Sequence, residues 1–439
     1  MFNQKYIYLF ILFSNSLYHI YLNSKTTFMC YIAADNDLYP FTNRNLTQMA
    51  QVGSNENVNI VIHLDMHKPG ENKKSFRCLV EKNRILKVSN DMLTDSGNAD
   101  TLIDFVKFCA KNYSADEYVL LLWNHGTGII EPQIRKAVNP SKLFKKNEQT
   151  NLYELNRYIG FIDYITQNFS DENDNNHKGI CFDDTYRTYI TIDKLKYALD
   201  KIVNIIGKKL SILACDACLM SMIEVLSPIK NYADFFVGSQ EVELGTGYNY
   251  NYVLSYFLNN KDAGENFAKH IVSSFEAAYK YITQDYTQSA SRLYSLHLLE
   301  NNIDKLAQKL IFGIQHQKYK TVREVIKLSK HKNFCTHFDE PTYIDIDNFY
   351  FNLLKNIDKI QLDNKTNTDN FKKDLINIIN EGRNAISHIV VKNVTGNNLK
   401  SAKGLSIYFP EYNIHKSYYN SEFANSTNWL NFIKTFINS

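Results

Sequence analysis

Two short apolar strands that run straight into chemically capable residues constrain this chain more than anything else in it. Leu210-Ser-Ile-Leu-Ala-Cys-Asp-Ala-Cys-Leu-Met220 reads as a strand over Leu210–Ala214 that breaks on Asp216-Ala217-Cys218, with a helical pattern following at once over Met220–Ser227. Glu117-Tyr-Val-Leu-Leu-Leu-Trp123 ends the same way, on Asn124-His125-Gly126-Thr127-Gly128. Strands with continuous apolar runs are buried on both faces, as in parallel sheets. Open α/β sheets place their chemistry at the carboxyl ends of such strands.

The rest of the pattern agrees with a sheet of this kind. Strands at Thr27–Ala33, Val58–Leu64, Gly179–Phe182, Phe235–Gly238 and Leu293–Leu298 alternate with helical stretches near 43–51, 100–111, 191–205 and 265–283, and Phe76–Val80 with Arg84–Val88 reads as a hairpin. Such alternation predicts an α/β fold, a mainly parallel sheet with helices on both faces. Residues 26–300 carry it. A mostly helical C-terminal subdomain over 301–439 follows, with late strands at Ile386–Val391 and Leu405–Phe409, the second returning near 404–410. Residues 130–178 break the rhythm with Pro132, Pro140, clustered lysines and an Asp/Asn run over 171–176; a helical piece is expected near Leu152–Gln167. Long connections of this sort inside a domain are functional or disordered. The Asp/Asn run lacks the Gly and Glu of a calcium-binding EF-hand loop. Residues 1–25 join Lys5 to the apolar run Tyr6–Phe13 and then small polar residues, the layout of an export leader; a buried leading helix or strand is the alternative. Export points to a secreted or periplasmic protein, its absence to a cytoplasmic one.

Charge and cysteine content exclude several classes. A net charge of +3 over 439 residues, without a sustained basic patch, gives no field for nucleic acid. No later stretch has the length of a membrane span. The seven cysteines are odd in number and irregular in spacing, which argues against a disulfide framework. Cys215-x-x-Cys218 lacks the second half of a zinc site.

A Cys and a His, each at its own strand tip, are the parts of a thiol nucleophile and its acid/base partner. Cys218 stands where a helix is expected to begin near Leu219, whose dipole would favour a thiolate. Gly126 lets a substrate carbonyl approach, and its N–H together with that of Cys218 is placed to hold an oxyanion. Asp216 is suited to line an adjacent pocket and pair with a basic substrate residue. Cys215 reads as core. No cofactor is needed for this chemistry, and no metal set is defined by the sequence.

Trp123-Asn-His-Gly-Thr-Gly128, Asp216-Ala-Cys-Leu-Met220 and Ser239-Gln-Glu241 resemble the clostripain family of cysteine peptidases, which have the caspase–gingipain–legumain fold. Thr94-Asp-Ser-Gly97, Gly179-Ile-Cys-Phe-Asp-Asp184 and Gly404-Leu-Ser-Ile-Tyr-Phe-Pro410 extend the likeness. The resemblance implies a caspase-like sheet, His125 and Cys218 as catalytic dyad, and Asp216 as the acid that selects Arg or Lys before the cut bond. It implies a second pocket acid after Ser239, with Glu243 and Glu241 as candidates. It also implies activation by cleavage between the His and Cys strands, often calcium-assisted. Arg135, Lys136, Lys142, Lys145 and Lys146 are the expected self-cleavage sites, Lys142, Lys145 and Lys146 foremost, in a monomer processed to two associated fragments. The expected partners are proteins or peptides with Arg or Lys before the scissile bond. A caspase- or legumain-like pocket preference, a non-catalytic binding module on the same fold, and a zinc or redox protein built on Cys215 and Cys218 are the competing readings.

Overall fold

The computed structural model of the chain describes residues 25–130, 143–157, 161–162 and 179–439. Its strands, in chain order, are β1 (Thr26–Ala34), β2 (Val58–Met66), β3 (Lys74–Glu81), β4 (Arg84–Lys87), β5 (Glu117–Trp123), β6 (Phe144–Lys146), β7 (Tyr153–Leu155), β8 (Gly179–Asp183), β9 (Thr188–Thr191), β10 (Leu210–Asp216), β11 (Ala233–Gly238), β12 (Thr287–Arg292), β13 (Tyr343–Asp345), β14 (Val390–Thr395) and β15 (Ser406–Tyr408). Nine of them form one sheet in the order β14-β12-β11-β10-β5-β1-β2-β3-β4. The inner five, from β11 to β2, run parallel; β3, β4, β12 and β14 add antiparallel margins. Within this order β4 through β5 all come from residues 26–123 and β10 through β14 from 210–395, so the two portions of chain meet in the sheet along the β5–β10 pair.

Alternation with period two sorts the parallel strands onto two apolar faces. Met29, Tyr31, Leu120, Leu122, Leu213 and Cys215 join one core with the helices Ala99–Asn112, Ile192–Ile206 and Leu296–Gln315. Phe28, Cys30, Val119, Leu121, Ile212 and Ala214 face the other, against Thr42–Val52 and Glu265–Tyr279. The sheet is therefore covered on both sides, as the continuous apolar runs require. The part beyond residue 300 shares the first core through Leu306, Phe349, Leu375 and Trp429. It also gives β14 to the main sheet, while β15 pairs with β13.

Several elements depart from the sequence expectation. The strand expected at Leu293–Leu298 is Thr287–Arg292 instead, and helix begins at Leu296. Its sequence Thr-Gln-Ser-Ala-Ser-Arg is polar and has almost no hydropathy signal, yet it is buried, with two of its hydroxyls partnered inside the protein: Ser289 donates to the Gly404 carbonyl at 2.8 Å, and Thr287 accepts from the Gln240 N–H at 2.9 Å. The strand expected at Ile386–Val391 starts at Val390, since the helix Lys365–Ile389 runs to its edge. Tyr153–Leu155 is a strand in a hairpin rather than part of a helix over 152–167.

The helix after Cys218 also begins later than expected, at Ile223 rather than near Leu219. Leu219 has φ +60°, a left-handed conformation that a helix does not accept. The intervening backbone bonds go to neighbouring loops: Leu219 N–H to the Glu241 carbonyl at 3.3 Å, and Ser221 N–H to that of Ser239 at 2.8 Å. The helix-dipole support expected for the Cys218 thiolate is thus absent, because such fields act within the first turn.

Candidate active site

The tips of β5 and β10 lie side by side because the strands pair in parallel with Trp123 opposite Asp216. His125 and Cys218 each stand two residues beyond that pair, and both line a cavity of about 320 Å³ together with Asp37, Asp216, Glu243 and Phe161. Contact between the tips requires glycine at 126: a Cβ there would meet the Cys218 carbonyl oxygen at 2.6 Å and Met220 Sδ at 2.9 Å. Gly126 pairs with Ile180 in a short antiparallel bridge whose hydrogen bond is donated by Thr127, to the Gly179 carbonyl at 3.2 Å. That leaves the Gly126 amide outside this bond, where an oxyanion donor has to be.

His125 is held from two sides. Asn124 before it accepts from the Phe182 N–H at 2.8 Å and donates to the carbonyls of Ala33 and Phe182, clamping the tip of β5 to those of β1 and β8. Asp37, just past β1, brings Oδ1 to 2.7 Å from His125 Nε2. Asp37 is a site residue that sequence reasoning missed, although it sits at the same kind of strand tip as His125 and Cys218. A carboxylate there fixes the orientation of the ring, the role of the third group in triads. Asp37→Asn should lower kcat by about tenfold to a hundredfold while leaving thermal unfolding nearly unchanged, because the Asp37 side chain is one-third exposed. Steady-state kinetics beside a melting curve check this; an unaltered kcat would remove Asp37 from the acid/base assembly.

Cys218 is only 5% exposed. Burial pushes its thiol well above the ordinary range and the charge of Glu243 adds to the effect, against the Glu243 N–H that lies 3.2 Å from Sγ. Cys215 is fully buried in the core.

Next to the thiol, the cavity floor is acidic. Asp216 accepts from the Tyr248 N–H at 3.0 Å and from the Tyr250 hydroxyl at 2.6 Å. Gly247 is required there, with φ +58° and a virtual Cβ 2.6 Å from Asp216 Oδ2. Burial pushes the Asp216 carboxyl up to about 6 and that of Glu243 well above the usual range, the latter also because Asp216 faces it. Of the two candidates after Ser239, Glu243 lines the cavity. Glu241 instead binds Arg157 at 2.8 Å and accepts from the N–H groups of Val242 and Asp339, both at 2.9 Å. Tyr248 and Tyr250 are buried and hold Asp216.

Lys145 and Lys146 are exposed on β6, in a hairpin whose partner is β7. Leu143 and Phe144, beside them, line the cavity. Arg135, Lys136, Lys142, the Asp171–Asn176 run and the leader lie outside the described residues. Three carboxylates, Asp35, Asp65 and Asp183, converge beyond β1 and β2, but the Lys73 ammonium fills their centre at 2.6–3.1 Å. Among the described residues no group of three or more His, Cys, Asp or Glu is arranged to hold a metal. The residues present there do not fit calcium.

A sequence model of the clostripain family matches residues 30–141 and 153–436, passing over β6 and the turn that follows it. Clostripain from Hathewaya histolytica is 24% identical over 446 aligned positions, covering 88% of this chain and 75% of that protein. A secreted C11 cysteine protease from Bacteroides thetaiotaomicron, solved with an irreversible peptide inhibitor, aligns with 93% of this chain and 99% of its own at a TM-score of 0.57 and 17% identity. An inactive zymogen C11 protease from Parabacteroides distasonis gives the same TM-score at 18% identity, over 93% of this chain and 98% of its own. The structural likeness establishes the caspase-like fold, and the family match takes in both strand tips and every strand of the main sheet beyond β1's first turn of chain. The chain belongs to the clostripain family and is a cysteine-type peptidase.

Proposed function

We propose that the chain is an endopeptidase that cuts after Arg or Lys, with Cys218 as nucleophile and His125 as its acid/base partner. The observation that carries the reading is the cavity floor: two buried carboxyls, Asp216 and Glu243, face each other beside the thiol. A buried acid pair of this kind is stable only with a proton or a cation between its members, and a basic side chain supplies the cation. The substrate carbonyl then lies over Cys218. Its sulfur attacks as the imidazole takes the thiol proton, and the imidazolium returns that proton to the leaving amine. The amides of Gly126 and Cys218 hold the oxyanion. Water releases the acyl group by the reverse path, and no cofactor enters any step. The similarity to Hathewaya histolytica clostripain supports this reaction, and the likeness to a secreted relative supports export.

Activation follows from where the chain crosses between its two catalytic tips. The segment over 130–178 joins the His125 strand to the region before Cys218, and its hairpin puts Leu143 and Phe144 against the cavity. Self-cleavage at Arg135, Lys136, Lys142, Lys145 or Lys146 would release that wall and leave a monomer of two fragments joined through the sheet. Cutting at Lys145 or Lys146 requires the β6–β7 pair to open first. Mass spectrometry of the purified protein should show wild-type chain split in this segment and Cys218→Ala chain whole. Full activity from an unbroken chain in which all five residues are alanine would sink the activation model and spare the dyad. A panel of peptides that differ only before the cut tests the Arg/Lys preference; equal rates with neutral residues there would reject it.

A further inference from the structure

The acidic floor has a third member behind it that no sequence feature announced. Gln288, on β12, is fully buried. Its Nε2 donates to Glu243 Oε1 at 3.3 Å and to the Tyr248 hydroxyl at 2.9 Å. The Tyr248 hydroxyl in turn gives its proton to the Cys215 carbonyl at 3.0 Å. It therefore has only a lone pair to offer Gln288, and this fixes which end of the amide points inward. Two acceptors remain over: Glu243 Oε2 and Gln288 Oε1 are buried with no hydrogen-bond donor. Burying an acceptor without a donor is costly, and of these two residues Glu243 lines the cavity, facing Asp216, where an entering cation meets it.

Among the described residues, nothing around the two acids neutralises them. The titratable groups facing them are Cys30 on β1, Cys215 and Cys218 on and after β10, Tyr248 and Tyr250 on the loop and helix that follow Gly247, and Tyr279 on the helix Glu265–Tyr279. Burial keeps every one of these in its neutral form. Among the described residues no lysine, arginine or histidine contributes to either carboxyl. Tyr250 and the Tyr248 amide favour the charge on Asp216, so Glu243 is the member that keeps the proton. Two such carboxyls titrate as a pair.

We infer that this floor takes up a guanidinium or ammonium group in exchange for the proton its two carboxyls share, with Gln288 as the positioning residue that holds Glu243 for the exchange. As the cation enters, the O–H bond of the shared proton breaks and the proton leaves to solvent. N–H groups of the cation then bond the Asp216 and Glu243 carboxylates that line the cavity, Glu243 being held from behind by Gln288, and the pair becomes doubly ionised around one positive charge. The sign of the pH effect follows. At low pH the cation competes with protons, so affinity for basic ligands climbs as pH rises through the titration of Asp216 at about 6 and on to that of Glu243, above which no proton remains to be displaced.

This inference rests on the Arg/Lys reading above, and the test separates the two. Agmatine, a small guanidinium, is titrated into the processed wild-type protein by calorimetry at pH 7, in two buffers of different ionisation enthalpy. The expected result is binding whose apparent heat shifts between buffers by the release of a proton. In Gln288→Leu, KM for an arginine substrate should rise about tenfold, the loss of one bond to a charged group. The rise of affinity with pH should move to higher pH, while kcat and the rate of Cys218 labelling by iodoacetamide stay put. Binding without proton release overturns the exchange and leaves Arg/Lys specificity standing; no binding overturns both. A Gln288→Leu protein that loses kcat and iodoacetamide reactivity together would mean that Gln288 merely supports the fold.

Discussion

Cys218→Ala and His125→Ala should each lower peptide cleavage by about 10⁴-fold or more, and the double variant should be scarcely worse than either. The two side chains come from separate strands and line one cavity, and they share a single proton in the proposed reaction, so losing one disables the other. Neither substitution should unfold the protein, because both side chains stand past the ends of their strands and line the cavity, where alanine leaves the sheet ladder untouched. Cys215→Ala is the matched control. It removes a thiol three residues away that packs in the core, at a cost confined to stability, and should keep most activity. Kinetics with a fluorogenic arginine peptide, with circular dichroism for each variant, decide the matter. A dead Cys215→Ala enzyme beside an active Cys218→Ala enzyme would reverse the assignment.

Asp216→Asn should lower kcat/KM for Arg or Lys substrates by about 10²- to 10³-fold, since leaving a buried cation without its partner costs about 3–5 kcal/mol. Asparagine keeps the shape of the side chain and one oxygen for the Tyr248 amide and Tyr250 hydroxyl, so the floor should stay in place. Labelling of Cys218 by iodoacetamide, which needs the thiol but no basic group, should be affected far less. Equal losses in the two assays would show that Asp216 supports the loop at Gly247 and has no part in recognition.

Much of this architecture could be read from the chain because burial on both faces leaves a plain mark. β1, β2, β5, β10 and β11 are mostly apolar, buried runs, and the polar residues after β5 and β10 marked His125, Asp216 and Cys218. What escaped were elements whose physics is not hydropathy. β12 is buried yet built largely of Thr, Gln and Ser, with Thr287, Ser289 and the Gln288 Nε2 finding partners inside the protein; Gln288 was hidden with it. Asp37 sat in a stretch that reads as an ordinary polar turn, and only the pairing of β1 with β5 brings it to His125. The choice between Glu241 and Glu243 rested on which way each side chain turns, decided by Arg157 taking Glu241. The late start of the helix at Ile223 depends on a left-handed leucine that no residue preference would suggest.

The junction of β5 with β10 gives the proposed chemistry of His125 and Cys218 an unusual dependence. One portion of the chain owns the imidazole and the other owns the sulfur, and a single ladder, with Ile212 beside Val119 and Asp216 beside Trp123, sets them against each other. A slip of one residue along that ladder would displace His125 from Cys218 by about 3.3 Å and turn every inward side chain of the strand to the opposite core. A slip of two would restore the faces but separate the pair by about 6.6 Å more than the native alignment. Turnover thus reports strand alignment at the resolution of one residue: the active enzyme is a vernier, and it reads zero in one position only.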